Sequence, residues 1–339
     1  MLVLVTALLP VALDAAELDM HEYLFGHVGD SYGWHIATIN GKPVSVHLPV
    51  IVRSPETGWH VFSSGHIEEG EPWEGFRLAQ EGEPHSGKLV EETAHGLVKP
   101  LDISITKNVF GLMVNSLIVL VIILLGARWY RRHDGVEEAP RGFAGIVEML
   151  VTMVEDDIIK PCVGADYKRY SPYLLTAFFF IFINNLMGIV PFFPGGANIT
   201  GNIAITLCLA VFTFLAVNLF GNRHYYKDIF WPDVPVFLKA FPLMPLIEIV
   251  GVFTKPFSLM IRLFANILAG HMMILGVLAV IFVTATLGAA LNGSLTVIAV
   301  IFGVFMDVLE CLVAFIQAYV FTMLSSVFIG LSRQVPESE

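Results

Sequence analysis

Long apolar segments decide what this chain can fold into. A helix needs about 20 predominantly apolar residues to cross the hydrocarbon core of a bilayer. Beyond residue 107 three segments have about that length and two are longer. We predict membrane spans at about residues 109–127, 173–191, 202–220, 243–287 and 295–331. The last two exceed a perpendicular crossing, which indicates two long, tilted helices packed as a hairpin.

The composition agrees with a membrane protein and excludes several other classes. Of the 339 residues, 14% are charged and 55% are hydrophobic, whereas soluble domains carry about 25% charged residues. An ordinary soluble domain, a disordered chain and a coiled coil are therefore excluded. The net charge of -11 and the lack of a basic face argue against nucleic-acid binding. The predicted fold class is an all-α polytopic membrane protein.

The uneven distribution of charge marks a domain boundary. Residues 14–103 contain 15 acidic and 5 basic side chains and so contribute -10 of the net charge of -11. We assign residues 17–106 to an external acidic segment, 107–333 to the membrane domain and 334–339 to a cytoplasmic tail. Residues 1–16 resemble the apolar core of a signal peptide. Because no basic residue precedes that core, a short helix that touches the membrane is the alternative.

The external segment combines strand-forming sequence with a polar region. Residues 34–39 and 44–52 are rich in β-forming residues and flank Asn40-Gly41, a pair typical of hairpin turns. We therefore predict a β-hairpin in this region. Residues 67–96 are rich in Glu and Gly, which predicts a mobile loop.

The histidines and cysteines form no recognisable metal or redox motif. Eight of the eleven histidines lie in the external segment, but their spacings match no standard zinc-ligand pattern. The three cysteines are far apart and include no C-x-x-C pair, so we expect free thiols. We predict neither a bound metal nor a cofactor.

Basic residues in the loops predict the orientation of the membrane domain. The connections at 128–171 and 221–241 together carry ten Lys and Arg residues, whereas those at 192–201 and 288–294 carry none. Because cytoplasmic loops are enriched in basic residues, the N-terminal segment is predicted outside and the C-terminus inside. Residues 142–163 mix apolar and acidic positions, which indicates an amphipathic helix on the cytoplasmic side.

Function is expected where the last two spans carry charge, because a charged group costs a few kcal/mol in the hydrocarbon core. The charged or titratable residues there, with the amides that accompany them, are Glu248, Lys255, Arg262, Asn266, His271, Asp307, Glu310 and Gln317. Lys255 and Asp307 have a simple alternative, which is to reach water at the membrane surface or in a hydrated cavity. For Arg262 the alternative is a buried ion pair, and for His271 a hydrogen-bonded core histidine.

Helix geometry relates the depths of these residues. With a rise of about 1.5 Å per residue, His271 lies about 13.5 Å beyond Arg262 on one helix, and Glu310 about 10.5 Å from Gln317 on the next. If Arg262 and Gln317 face each other near the midplane, His271 and Glu310 reach a similar depth in the outer half. Glu248 falls toward the inner side. Titratable groups on both sides of a fixed cation favour proton transfer over transport of larger solutes.

Three motifs in the membrane domain resemble those of one protein family. Residues 246–271 contain S-L-x-x-R-L-F-x-N-x-x-A-G, residues 310–317 read E-C-L-V-A-F-I-Q, and residues 185–191 read N-L-M-G-I-V-P. They resemble the motifs of subunit a of the F-type ATP synthase, and the resemblance covers about residues 107–333. Residues 1–100 match only as a longer version of the family's external N-terminus.

The resemblance implies that the chain is one subunit of a larger membrane complex. Arg262 matches the family's essential arginine, which faces the ion-binding carboxylates of a rotating ring of c subunits. Asn266 and Gln317 match polar residues beside it. The implied protein is a non-catalytic, proton-translocating subunit of a bacterial inner membrane. Its implied partners are the c-ring, the peripheral-stalk b subunits and the lipid bilayer.

The same resemblance implies two half-channels. His271 and Glu310 match a pair that lines the external half-channel; where some members have an acid and then a histidine, this chain has the reverse order. Glu248 matches an acidic residue associated with the inner half-channel. Gly188 stands where some members have an acidic residue, so no role is assigned to it.

Two other classes are compatible with polar residues inside a membrane. A proton-coupled secondary transporter is expected to show internal repeats, and the polar residues here are instead concentrated in the last third of the chain. A subunit of a quinone-linked proton pump requires redox partners, and no haem or cluster motif is present in the sequence.

The predicted orientation can be tested by thiol labelling after the native cysteines are replaced by serine. A Gly82→Cys variant should react with a membrane-impermeant reagent in intact cells, because residue 82 lies in the external segment. A Ser338→Cys variant should react only after the cytoplasmic face is opened. The reverse pattern would contradict the orientation.

Overall fold

The computed structural model describes most of the chain. The described residues are 29–39, 42–68, 72–80, 83, 85, 87–93, 96–133, 138–190, 195–230, 243–284 and 289–334. The predicted signal peptide, the Asn40-Gly41 turn and the tail beyond residue 334 lie outside them. The chain divides into two compact units, one built from residues 25–114 with 190–197 and the other mainly from 115–189 with 198–339.

The described part of the first unit contains short antiparallel strands. They are β1 (Gly33–Ile39), β2 (Lys42–His47), β3 (Pro49–Ser54), β4 (Gly58–Ser63), β5 (Phe76–Leu78), β6 (Leu89–Thr93), β7 (Gly96–Val98) and β8 (Leu101–Asp102), with a single-turn helix α1 (Gly65–Glu68) after β4. β1 pairs with β2, β3 lies between β4 and β8, and β6 lies between β5 and β7. The predicted β-hairpin is therefore confirmed as the β1–β2 pair.

The structure divides the strand expected at 44–52 into β2 and β3. The division falls at Leu48, whose side chain is buried. The Leu48 N–H donates to the Ser64 hydroxyl over 3.0 Å, and the Ser64 N–H donates to the Leu48 carbonyl over 2.9 Å. Leu48 therefore extends the pairing of β3 with the chain after β4, whereas β2 pairs with β1.

The prediction of a mobile loop at 67–96 is wrong. The segment contains β5 and β6 and the start of β7, and Phe76 and Leu89 are buried in a small core with strand β3. Arg77 holds the segment together by binding Glu83 over 2.7 Å and Glu92 over 2.5 Å. The Arg77 hydrogen bond lowers the pKa of Glu83 to about 2. Two of its glutamates, Glu83 and Glu92, are therefore ion-paired within a folded segment.

The second unit is helical, and its composition is that of a membrane protein. The helices are α2 (Lys107–Tyr130, whose first residues belong to the other unit), α3 (Phe143–Thr152), α4 (Lys160–Val163), α5 (Tyr167–Ile189), α6 (Ile203–Leu219), α7 (Arg223–Phe230), α8 (Leu243–Val283) and α9 (Ala289–Arg333). Among the described residues, four helical stretches are long and apolar enough to cross a membrane: Lys107–Tyr130, Phe143–Ile189, Pro245–Ile281 and Asn292–Arg333. α6 is a shorter apolar helix. This architecture confirms the predicted fold class.

The two last helices are longer than the membrane is thick. The apolar part of α8 has 37 residues, which corresponds to about 56 Å of helix against a hydrocarbon core of about 30 Å. A straight helix of this length must tilt strongly to stay within the bilayer. Pro256 lies inside α8 and removes one backbone hydrogen bond there. α8 packs against both α9 and α6, as expected for the predicted hairpin.

The segment at 142–163 has two chemically different sides, as its sequence predicts. It consists of α3, a π-helical turn (Met153–Ile159) and α4. Val154 and Ile158 are buried in the core of the membrane unit, whereas Asp156 and Asp157 are exposed. Part of its apolar side therefore contacts α5 and α9 and is not available to lipid.

α9 passes very close to the backbone of α4. At the crossing, a Cβ atom on Gly330 would overlap the carbonyl oxygen of Cys162. Glycine is therefore required at this position by the approach of two backbones. Cys162 itself carries a free thiol, as do Cys208 and Cys311, so the expectation of unpaired cysteines is confirmed.

The close crossing predicts a position-specific loss of stability. Gly330→Ala should destabilise the protein by about 1–3 kcal/mol, the usual cost of overpacking. Gly293→Ala is the matched control on the same helix, because nothing lies within 4 Å of its added Cβ. Melting temperatures of the two variants in detergent test this. Equal melting temperatures would show that the helices separate without cost.

Candidate functional site

The buried side of α8 determines which of its polar residues face the protein. Leu259, Leu263 and Ile267 are buried and recur every four residues, so they form one stripe. Leu259 and Leu263 belong to the same core as Ala318 and Phe321 of α9. Polar residues of α8 that lie outside this stripe do not face this shared core.

His271 and Glu310 are in direct contact between α8 and α9. The His271 Nδ1 lies 3.0 Å from the Glu310 Oε1, and the two side chains are 18% and 5% exposed. The helical rise predicted a similar depth for these two residues on the condition that Arg262 and Gln317 face each other, and the structure shows the contact itself. Gly270 makes the contact possible, because a Cβ there would lie 3.1 Å from the same carboxylate oxygen. An imidazole and a carboxylate at this distance can exchange a proton directly.

The Glu310 carboxyl group has a second oxygen with no protein partner. Its Oε2 is buried and makes no hydrogen bond in the structure. A buried polar atom without a partner is costly, so this oxygen is suited to carrying a proton or binding water. Asp307 is half-buried one helical turn before Glu310, which places a second carboxyl group on the same side of α9.

Arg262 lies on the exposed face of α8. Its neighbours on this face are Asn266, one turn further along, and the small residues Ser258, Ala265 and Ala269, all of them exposed. Within the described part of the chain Arg262 has neither an ion pair nor a hydrogen bond, which excludes the alternative of an internal ion pair there. The Arg262 guanidinium therefore lies exposed near the middle of a 37-residue apolar stretch. The small side chains around it would allow another membrane helix to approach closely.

Arg262 and Gln317 differ in burial. Gln317 is 5% exposed and lies beside Ala314 and Ala318 in the buried side of α9. Arg262 follows the exposed side of α8, so no hydrogen bond joins the two side chains in the structure described. That the two residues face each other was the condition of the depth estimate, and it stays a hypothesis. The separation of His271 from Arg262 along α8, and of Glu310 from Gln317 along α9, depends only on the helical rise.

Glu248 and Lys255 lie on the other side of Arg262 along α8. Glu248 is exposed and precedes Arg262 by 14 residues, or about 21 Å of helix. The Lys255 ammonium lies 5.8 Å from the centre of the Phe328 ring on α9. Lys255 therefore packs over an aromatic ring between the helices.

A buried amide network next to α9 was only partly apparent from the sequence. The Asn115 amide donates to the Asn184 side-chain oxygen over 3.0 Å, and the Thr200 hydroxyl donates to Asn185 over 2.6 Å. Asn185 also donates to the Ala314 carbonyl of α9 over 3.4 Å. Asn184 and Asn185 interrupt an apolar span, which was a visible signal. Their partners could not be read from sequence spacing.

Comparison with known proteins agrees with this arrangement. Residues 113–330 match the family model described as ATP synthase A chain. The chain belongs to this family. The matched region contains the polar residues of α8 and α9 discussed above, which are Glu248, Lys255, Arg262, Asn266, His271, Asp307, Glu310 and Gln317. Residues 23–103 separately match a model described as a domain of unknown function.

Curated relatives carry the family name and are similar over most of their length. An "ATP synthase subunit a 2" of Chlorobaculum tepidum is 41% identical over 88% of this chain and 85% of the relative. An "ATP synthase subunit a 2" of Prosthecochloris aestuarii is 39% identical over 74% of this chain and 73% of the relative. The "ATP synthase subunit a" of Myxococcus xanthus is 39% identical over 68% of this chain and 74% of the relative. The chain is thus a multi-pass membrane protein of the ATP synthase subunit a family.

Proposed function

We propose that this chain is the non-catalytic stator subunit that carries protons to and from a rotating c-ring in an F-type ATP synthase. The observation that carries the proposal is Arg262, an exposed guanidinium midway along a membrane helix with no counter-charge among the described residues. A lone cation at this depth is costly. A carboxylate on a second membrane protein would remove that cost.

The surroundings of Arg262 fit a closely packed helical partner. Ser258, Ala265 and Ala269 provide a surface of small side chains around the guanidinium, and small residues let membrane helices approach closely. Each carboxyl group of a passing ring would be ionised next to Arg262, because an adjacent opposite charge favours the charged form. Once such a carboxyl group has taken up a proton it is neutral, and it could move away from Arg262 into contact with lipid.

His271 and Glu310 are proposed as the route by which protons reach the ring. Their hydrogen-bonded contact lies about 13.5 Å from Arg262 along α8, and Glu248 lies on the opposite side. Protons would enter past the His271–Glu310 pair, neutralise a ring carboxylate and leave past Glu248 after the ring has turned. Arg262 between the two routes would repel a proton that moved directly across. Asn266 is proposed to assist on the Arg262 face, and Gln317 from the packed side of α9.

The proposal includes the orientation of the chain in the membrane and its partner subunits. The N-terminal unit is placed outside and the end of α9 inside a bacterial inner membrane, because the basic loop residues favour that orientation. The proposed partners are the c-ring and the peripheral-stalk b subunits. The chain itself carries out no ATP chemistry in this proposal, since its sequence lacks the G-x-x-x-x-G-K-[ST] phosphate-binding loop.

Substitution of Arg262 tests the proposal directly. Arg262→Ala should reduce ATP-driven proton uptake by inverted vesicles to background while the subunit remains in the complex. Arg262→Lys should also fail, because a compact ammonium does not replace a planar guanidinium. Ser258→Ala, one turn away on the same exposed face, is the control and should keep its activity. Normal uptake with Arg262→Ala would refute the mechanism.

The contact between His271 and Glu310 predicts a coupled response to mutation. Replacing either residue by the other's type leaves two carboxyl groups or two imidazoles in contact, so the imidazole–carboxylate pair is lost and proton uptake should slow at least about 10-fold. The double exchange, His271→Glu with Glu310→His, keeps one imidazole and one carboxylate at the same depth. It should recover more uptake than the less impaired single variant. Additive losses, as for independent sites, would mean that the two residues do not act as a relay.

A further inference from the structure

A cleft between α5 and α6 has a cationic mouth and an apolar interior. Its volume is about 320 Å³, and its lining includes Tyr173 of α5 and Phe212, Leu215 and Ala216 of α6. The Tyr173 hydroxyl is already hydrogen-bonded to the Thr213 hydroxyl over 2.9 Å. The cleft therefore offers a ligand mainly hydrocarbon surface.

Arg169 stands at the mouth of this cleft. Its guanidinium carbon lies 5.1 Å from the centre of the Phe220 ring and 6.0 Å from that of Tyr170. In the described part of the protein Arg169 has no acidic partner. Arg333, which reaches the same region and donates to the Phe220 carbonyl, is instead paired with Asp166. Within the described residues the positive charge at the mouth is thus not neutralised.

The position of Arg169 corresponds to the level of lipid headgroups. It is the third residue of α5, and Phe220 directly follows the last residue of α6, so both lie at the same end of these membrane helices. A cation at the end of a membrane helix, above an apolar cleft that opens between two helices, matches the chemistry of a phospholipid with an anionic headgroup.

We infer that this cleft binds an anionic phospholipid, with the lipid phosphate at Arg169 and an acyl chain along Phe212, Leu215 and Ala216. Charge complementarity favours a lipid over a helix of another subunit, because an apolar helix would fill the cleft and leave the guanidinium without a counter-charge. The inference depends on the membrane location of the chain and is independent of the proposed proton route.

Two variants, each studied in the intact ATP synthase complex, separately remove the positive charge and the apolar space of the site. Arg169→Gln removes the charge, and Ala216→Phe fills the cleft without changing charge. The matched controls are Lys168→Gln, whose ammonium lies over the Tyr167 ring instead, and Leu219→Phe on an exposed part of α6. Retention of phosphatidylglycerol and of phosphatidylcholine by the purified complex is measured by native mass spectrometry.

Arg169→Gln should weaken phosphatidylglycerol retention about five-fold, the effect of one basic group at an anionic membrane surface, and should leave phosphatidylcholine unchanged. Ala216→Phe should reduce retention of both lipids. Both controls should behave as the parent complex, and Arg169→Lys should retain part of the preference.

Three results would overturn the inference. One is unchanged phosphatidylglycerol retention in Arg169→Gln or Ala216→Phe. Another is release of phosphatidylglycerol by inorganic phosphate together with no effect of Ala216→Phe, which would indicate a simple anion site. The third is loss of another subunit from both variants with no loss of lipid, which would show that a protein occupies the cleft.

Discussion

The cost of an uncompensated cation in hydrocarbon governs the membrane unit. Arg262 lies on the exposed side of α8 with no counter-charge in the described chain, so in the proposed function a partner supplies the compensating charge. The small residues beside Arg262 and the buried leucine stripe behind it follow from the same requirement. One side of α8 packs on α9, and the other side exposes the guanidinium, which the proposed function assigns to contact with the c-ring.

The His271–Glu310 contact shows how a second polar group is accommodated without a partner protein. Gly270 leaves space for the carboxylate, and the imidazole satisfies one of its oxygens at 3.0 Å. The remaining oxygen is buried and unbonded, which keeps a site for a proton or a water molecule. α8 therefore carries two polar sites that differ in exposure: His271 is in contact with α9, whereas Arg262 is exposed.

Membrane residues were easier to predict than those of the N-terminal unit. Apolar length and the rise per residue are local properties of a helix. They were sufficient to predict the long helices α8 and α9 and a similar depth for His271 and Glu310. The segment at 67–96 was predicted wrongly as a loop, because its composition did not reveal that Arg77 pairs with Glu83 and Glu92. Such pairs form between residues that only a folded sheet brings together.

The sequence by itself determined the membrane class, the two long final helices, the residues that belong to the family motifs and the depth of each along its helix. Only the tertiary structure decided which way those residues face. Arg262 is exposed and Gln317 is buried, although their spacing also allowed them to face each other. The physical reason is that depth follows from a fixed rise per residue, whereas direction depends on which stripe of each helix is buried by packing.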